Sequence, residues 1–115
     1  MLIALLLAAG LTTAADAGPI GRPAEGRAIA ERNCGGCHAT GQRGASHRPD
    51  APPLRTLQDR YPIEDLEESL AEGISVGHPD MPKVELTPQQ IADFEAYLRS
   101  LAGAAPLRTK ASLSR

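Results

Sequence analysis

The sequence predicts an all-α domain in which about three helices and long loops wrap a large apolar group. Helix signals appear at 24–33, 62–73 and 87–103, whereas no segment alternates convincingly as a strand. The connections between them are long and irregular, which is odd for a self-sufficient bundle of this size. The chain of 115 residues also has one Phe, two Tyr and no Trp. A domain this small buries a modest share of its surface and usually relies on bulky side chains or on a staple. Something other than side chains is therefore expected to fill the centre.

The elements follow in chain order. Residues 1–17 are an apolar run ending in Ala15-Asp16-Ala17, an A-x-A-like cleavage site, with Gly18-Pro19 beyond it. The run is short for a bilayer span and reads as a signal peptide, although no Lys or Arg precedes it. An uncleaved anchor is the alternative, and the only reading that would involve a membrane. Residues 18–103 are expected to form the folded domain, opening with a Pro/Gly leader at 18–23. Helix-favouring residues run from Ala24 to Asn33, with Glu25 in the first turn. Gly26 and Ala30 are small enough to let another helix approach closely. Gly35 and Gly36 favour leaving helical geometry.

Residues 39–56 are rich in Gly, Ser and Pro and read as a loop. A loop this long is expected to be functional or wrapped around something. From Pro62 to Gly73, the residues Ile63, Leu66 and Leu70 recur at helical spacing. Pro62, Glu64 and Asp65 sit in the first turn, and Gly73 provides the stop. The last helix carries the fullest set of signals: Thr87 as N-cap, Pro88 at N1 and Gln90 as the capping-box partner at N3. Leu86 and Ile91 are placed for a hydrophobic staple. Ile91, Phe94, Leu98 and Leu101 form an apolar stripe, and Gly103 ends the helix. Residues 104–115 read as a mobile tail.

Charge narrows the function classes. Twelve basic residues face 14 acidic ones, a formal net charge of −2. The arginines are scattered and form no basic stripe, so nucleic-acid binding is not expected.

Cys34-Gly35-Gly36-Cys37-His38 carries the chemistry. C-x-x-C-H is the signature of c-type haem attachment. Two residues between the cysteines let one helical turn present both thiols, Cys34 and Cys37, to the two vinyl groups on one porphyrin edge. The imidazole of His38 can then lie beneath the iron. Gly35 and Gly36 add no side chains where the porphyrin comes close. Three other readings compete. A C-x-x-C disulfide would make the histidine accidental. A thioredoxin-like pair needs a βαβ context, and no strand precedes this motif. Zinc wants four ligands, and no second cysteine pair exists.

Iron bound by His38 asks for a sixth ligand. Met81 lies in Gly77-His78-Pro79-Asp80-Met81-Pro82, where two prolines stiffen the turn. A thioether suits iron and raises its potential relative to two histidines. Met81 as a packing residue and His78 as the ligand are the alternatives. The second nitrogen of His38 also needs a partner to fix its orientation and basicity. A backbone carbonyl of Pro52 or Pro53 is the candidate, against plain loop prolines. Tyr97 is open between a porphyrin contact and helix–helix core.

Together these residues resemble the mono-haem class I cytochrome c family, over about Gly26 to Leu101. The resemblance rests on C-G-G-C-H at 34–38, A-P-P-L at 51–54, H-P-D-M-P at 78–82 and Ala-Tyr-Leu at 96–98. It implies a cytochrome c-like fold around one covalent haem c, with the first and last helices crossing at Gly26 and Tyr97 nearby. It implies His38 and Met81 as axial ligands and a proline carbonyl bonded to His38. It further implies electron transfer in the bacterial periplasm, as a carrier or subunit serving a dehydrogenase or terminal oxidase. Ala30 departs from the family, standing where many members have an aromatic residue, so the helix contact is expected to be thinner.

The expected function is therefore a monomeric, soluble electron carrier, not an enzyme in itself. A cytochrome subunit of an oxidoreductase complex is the nearest alternative. A haem-based gas sensor is a third, and it would require an open sixth site.

Overall fold

The computed structural model describes residues 18–73 and 79–103. The leader at 1–17, the tail at 104–115 and His78 lie outside the described residues. Among the described residues the regular structure is entirely helical: α1 (Pro23–Asn33), a 3-10 segment (Leu54–Asp59), a short 3-10 turn (Ile63–Asp65), α2 (Leu66–Glu72) and α3 (Pro88–Gly103). None of these helices is long and apolar enough to cross a membrane.

Local chemistry accounts for each boundary. Pro23 opens α1, where a missing backbone N–H is harmless. The capping box of α3 is complete: Thr87 Oγ1 accepts from the Gln90 N–H at 3.3 Å, and Gln90 Oε1 accepts from the Thr87 N–H at 2.9 Å. Leu86 and Ile91, the staple pair, are both buried. Helix α2 stops at Gly73, whose φ of +66° is left-handed and comfortable only without a Cβ.

Two expectations need correcting. The helix read from Pro62 begins instead as a 3-10 turn, and α2 starts only at Leu66. Pro62 has no N–H and its carbonyl takes the Asp65 N–H at 3.1 Å, an i to i+3 bond that tightens the first turn. The loop read through residue 56 ends at Pro53, because Leu54–Asp59 forms the 3-10 segment. No periodic signal marked it: Leu54 is buried while Leu57 is only partly so.

Helix α3 is the hub, touching α1, both 3-10 segments and α2, with α1 as its most extensive partner. The crossing is close because Gly26 has no side chain. A methyl there would strike the Asp93 carbonyl and lie 2.7 Å from the Tyr97 Cβ. Ala30, expected to thin the contact, is completely buried. The core comprises Ile29, Ala30, Leu54, Ile63, Leu86, Ile91, Phe94, Tyr97, Leu98 and Leu101.

A buried carboxylate locks the same crossing. Asp93, 2% exposed, accepts from the backbone N–H of Arg22 at 2.8 Å and from its guanidinium at 3.2 and 3.0 Å. Gln89 Nε2 adds a bond at 2.8 Å and also donates to the Ile20 carbonyl. Charge-assisted bonds of this kind fix orientation as well as adding energy. The chain entering α1 is thereby tied to α3.

Two outcomes are expected from this packing. Gly26→Ala should lower stability by about 1–3 kcal/mol in thermal or denaturant unfolding, because a methyl must push the helices apart; an unchanged midpoint would contradict the close crossing. The Arg22 hydrogen bonds hold the Asp93 carboxyl at about 2, below its usual 3.8. Its contribution is therefore present above pH 3.8 and is lost as pH falls from there through about 2. Asp93→Asn should flatten the acid limb of stability in that window when unfolding is followed by circular dichroism.

Candidate functional site

Helix α1 ends at Asn33 and delivers Cys34 as its cap, whose N–H donates to the Ala30 carbonyl at 2.8 Å. One further turn follows. The Cys37 and His38 N–H groups both donate to the Cys34 carbonyl, at 3.1 and 2.9 Å. The two cysteines and the histidine thus share a single turn at the end of a well-packed helix. Gly35 has a nearer reason for lacking a side chain than a porphyrin: a Cβ there would sit 2.6 Å from the Glu31 carbonyl of α1. Gly36 has open space around its Cα.

The long loop is pinned back onto this turn. Arg48 N–H donates to the Cys37 carbonyl at 3.1 Å, Leu54 N–H to the Ala39 carbonyl at 2.9 Å, and Ala39 N–H to Ser46 Oγ at 2.9 Å. Arg55 donates to the Gly44 carbonyl at 2.8 Å and Tyr97 OH to the Thr40 carbonyl at 2.5 Å. Its backbone polar groups are thus met by specific partners rather than by regular structure.

This wrapping brings the Pro52 carbonyl to 2.6 Å from His38 Nδ1. A backbone carbonyl only accepts, so Nδ1 carries a proton and donates it to Pro52, leaving Nε2 as the nitrogen not engaged by this bond. The Pro53 carbonyl instead accepts the Thr56 N–H at 3.0 Å and the Thr56 hydroxyl at 2.8 Å.

His38 lines an apolar cleft with a cavity volume of about 90 Å³. Cys34 and Met81 line it as well, with walls from Ile29, Leu54, Leu57, Leu66, Leu70, Val84, Leu86 and Phe94, and Asn33 as the other polar neighbour. The chain thus brings a thiol, an imidazole and a thioether to one mostly apolar cleft, with Met81 39% exposed. Soft and nitrogen donors set among aliphatic side chains fit a haem.

Burial pushes the Cys34 thiol up to about 11. A redox-active or zinc-binding cysteine needs the opposite, a stabilised thiolate. Among the described residues, no three His, Cys, Asp or Glu side chains gather as metal ligands. Cys34 and Cys37 are not joined in a disulfide.

Tyr97 does not line the cleft. It is buried in the α1–α3 crossing and reaches the loop through its hydroxyl. Several site residues escaped the sequence reading. Ile29, Asn33, Leu57 and Val84 line the cleft, and Leu86 does so besides serving as the staple. Their only signal was helical phase, since Ile29 and Asn33 lie one turn apart ahead of Cys34.

An all-α chain with an apolar cleft and a C-x-x-C-H turn at its rim defines a small c-type haem protein. The Cytochrome c family profile matches residues 23–102, and the chain belongs to the cytochrome c family. Its cofactor is covalently bound haem c and its chemistry is haem-based electron transfer. No curated protein matches the chain.

Tyr97→Phe should release the loop from α3. The expected loss is about 0.5–1.5 kcal/mol in denaturant unfolding, and equal stability would show the Thr40 bond to be unimportant.

Proposed function

We propose that the chain is a soluble, monomeric electron carrier of the bacterial periplasm, serving a dehydrogenase or a terminal oxidase. In this reading residues 1–17 are a leader, 18–103 the haem domain and 104–115 a tail. Cys34 and Cys37 hold the haem through thioether bonds, and His38 and Met81 are the axial ligands. Pro52 supports His38. The observation that carries the reading is the 2.6 Å contact between His38 Nδ1 and the Pro52 carbonyl, on a ring that shares its cleft with Met81.

Bound haem supplies a one-electron iron couple. The residues decide how that couple behaves. Proton retention on Nδ1 holds His38 in the tautomer whose Nε2 can bind metal, and the Pro52 carbonyl raises the basicity of the ring. Met81 offers a soft thioether, which raises the reduction potential. The aliphatic walls exclude water and disfavour extra charge in the cleft, which works in the same direction. Neither His38 nor Met81 needs to gain or lose a proton when an electron passes. With His38 and Met81 both holding the iron, dioxygen would find no open site and the residues would make or break no bond as an electron passes.

Protein matured in a haem-attaching periplasm should be coloured and heavier than the bare polypeptide by one haem. Its ferric spectrum should show the weak long-wavelength band of iron–methionine ligation. Met81→Ala should abolish that band and let carbon monoxide bind the ferrous form rapidly at neutral pH. Colourless material of polypeptide mass would refute haem attachment. An unchanged spectrum in Met81→Ala, with the parent already binding carbon monoxide, would favour a gas-binding role.

A further inference from the structure

One residue outside the ligand set touches both ligand arms. Arg48 lies in the long loop, and its backbone is anchored at both ends. Its N–H donates to the Cys37 carbonyl at 3.1 Å, and its carbonyl accepts the Ala51 N–H at 3.1 Å. That turn leads directly to Pro52, whose carbonyl meets His38. The Arg48 side chain reaches elsewhere. Nε donates to Asp50 Oδ1 at 3.1 Å, and Nη2 donates to Asp50 Oδ2 at 3.0 Å and to Asp80 Oδ2 at 3.3 Å. Asp80 immediately precedes Met81 in the chain.

We infer that Arg48 is a positioning residue that clasps the Met81 loop to the haem-attachment turn, holding the thioether at the sixth position. The inference rests on the proposed His38/Met81 ligation. Asp50 sits beside the guanidinium and aligns it, so that a single planar fork serves two carboxylates from different segments. The Arg48–Asp80 pair ties the residue next to Met81 to the loop that carries Pro52. Lysine, a point charge on a flexible stem, would reach one carboxylate without holding both. The ion pair is largely exposed, with side-chain exposures of 39% for Arg48 and 63% for Asp80. It is therefore open to screening by salt. The same contact accounts for part of the order in the long loop, which is fastened to the site at Cys37 and at Asp80 together.

The test uses the haem-loaded protein and imidazole as a neutral competitor for the sixth position. Arg48→Ala should keep the thioether-linked haem and the methionine band, yet bind imidazole about two- to fivefold more tightly, the range an exposed ion pair supplies. Asp80→Asn should do the same, and the double variant should be no worse than either single one. Arg48→Lys should fall between. Salt should raise imidazole affinity in the parent but not in Arg48→Ala, a response that a merely structural arginine would not give. Imidazole affinity equal to that of the parent in Arg48→Ala, with the band intact, would overturn the clasp alone. If the parent itself lacks the band, Met81 is not the ligand and both readings fall.

Discussion

The close crossing of α1 and α3 at Gly26 is the constraint on which the rest of the molecule depends. Without a side chain at that position, the Asp93 carbonyl and the Tyr97 Cβ occupy the space a methyl would need. The approach aligns the end of α1, where Cys34 caps the helix, with the face of α3 that presents Phe94 to the cleft. It also brings the Tyr97 hydroxyl to the Thr40 carbonyl, so the helix crossing positions the loop as well. Asp93 and Arg22 fasten the entrance of α1 to α3 from the other side.

From that frame the site is assembled by hydrogen bonds more than by bulky packing. The chain has few aromatic side chains, and its buried core is small and mostly aliphatic. The long loop cannot rely on apolar contacts, so it is held by Ser46, Arg48, Arg55 and Tyr97 acting on backbone groups. This polar wiring presents one carbonyl, that of Pro52, to His38. The adjacent carbonyl of Pro53 is consumed by the 3-10 segment. The choice between two neighbouring prolines is thus made by competition for acceptors.

The charged residues divide by position. Asp93 is buried and fully bonded, so it fixes the helix pair. Arg48, Asp50 and Asp80 are more exposed and join the long loop to the residue before Met81. Among the described residues the polar lining of the cleft consists of Asn33, His38 and the Cys34 thiol. Aliphatic surroundings of that kind lower the dielectric around an electron-transfer centre.

The amino-acid sequence by itself determined the helical class, the ends of α3, the left-handed stop at Gly73 and the attachment turn at 34–38. These depend on neighbours within a few residues, through capping groups, backbone freedom and the pitch of one turn. It also marked Gly26 and Ala30 as places of close approach, because small residues leave room. The 3-10 segments were not legible, since their bonds are local but carry no apolar period. Nor was the order in the long loop, whose partners lie up to 57 residues away at Tyr97. Only the tertiary structure chose Pro52 over Pro53, drew Tyr97 into the helix crossing and placed Arg48 against Asp80. Each of those outcomes depends on which groups the folded chain brings within hydrogen-bond reach, and spacing along the chain does not record that.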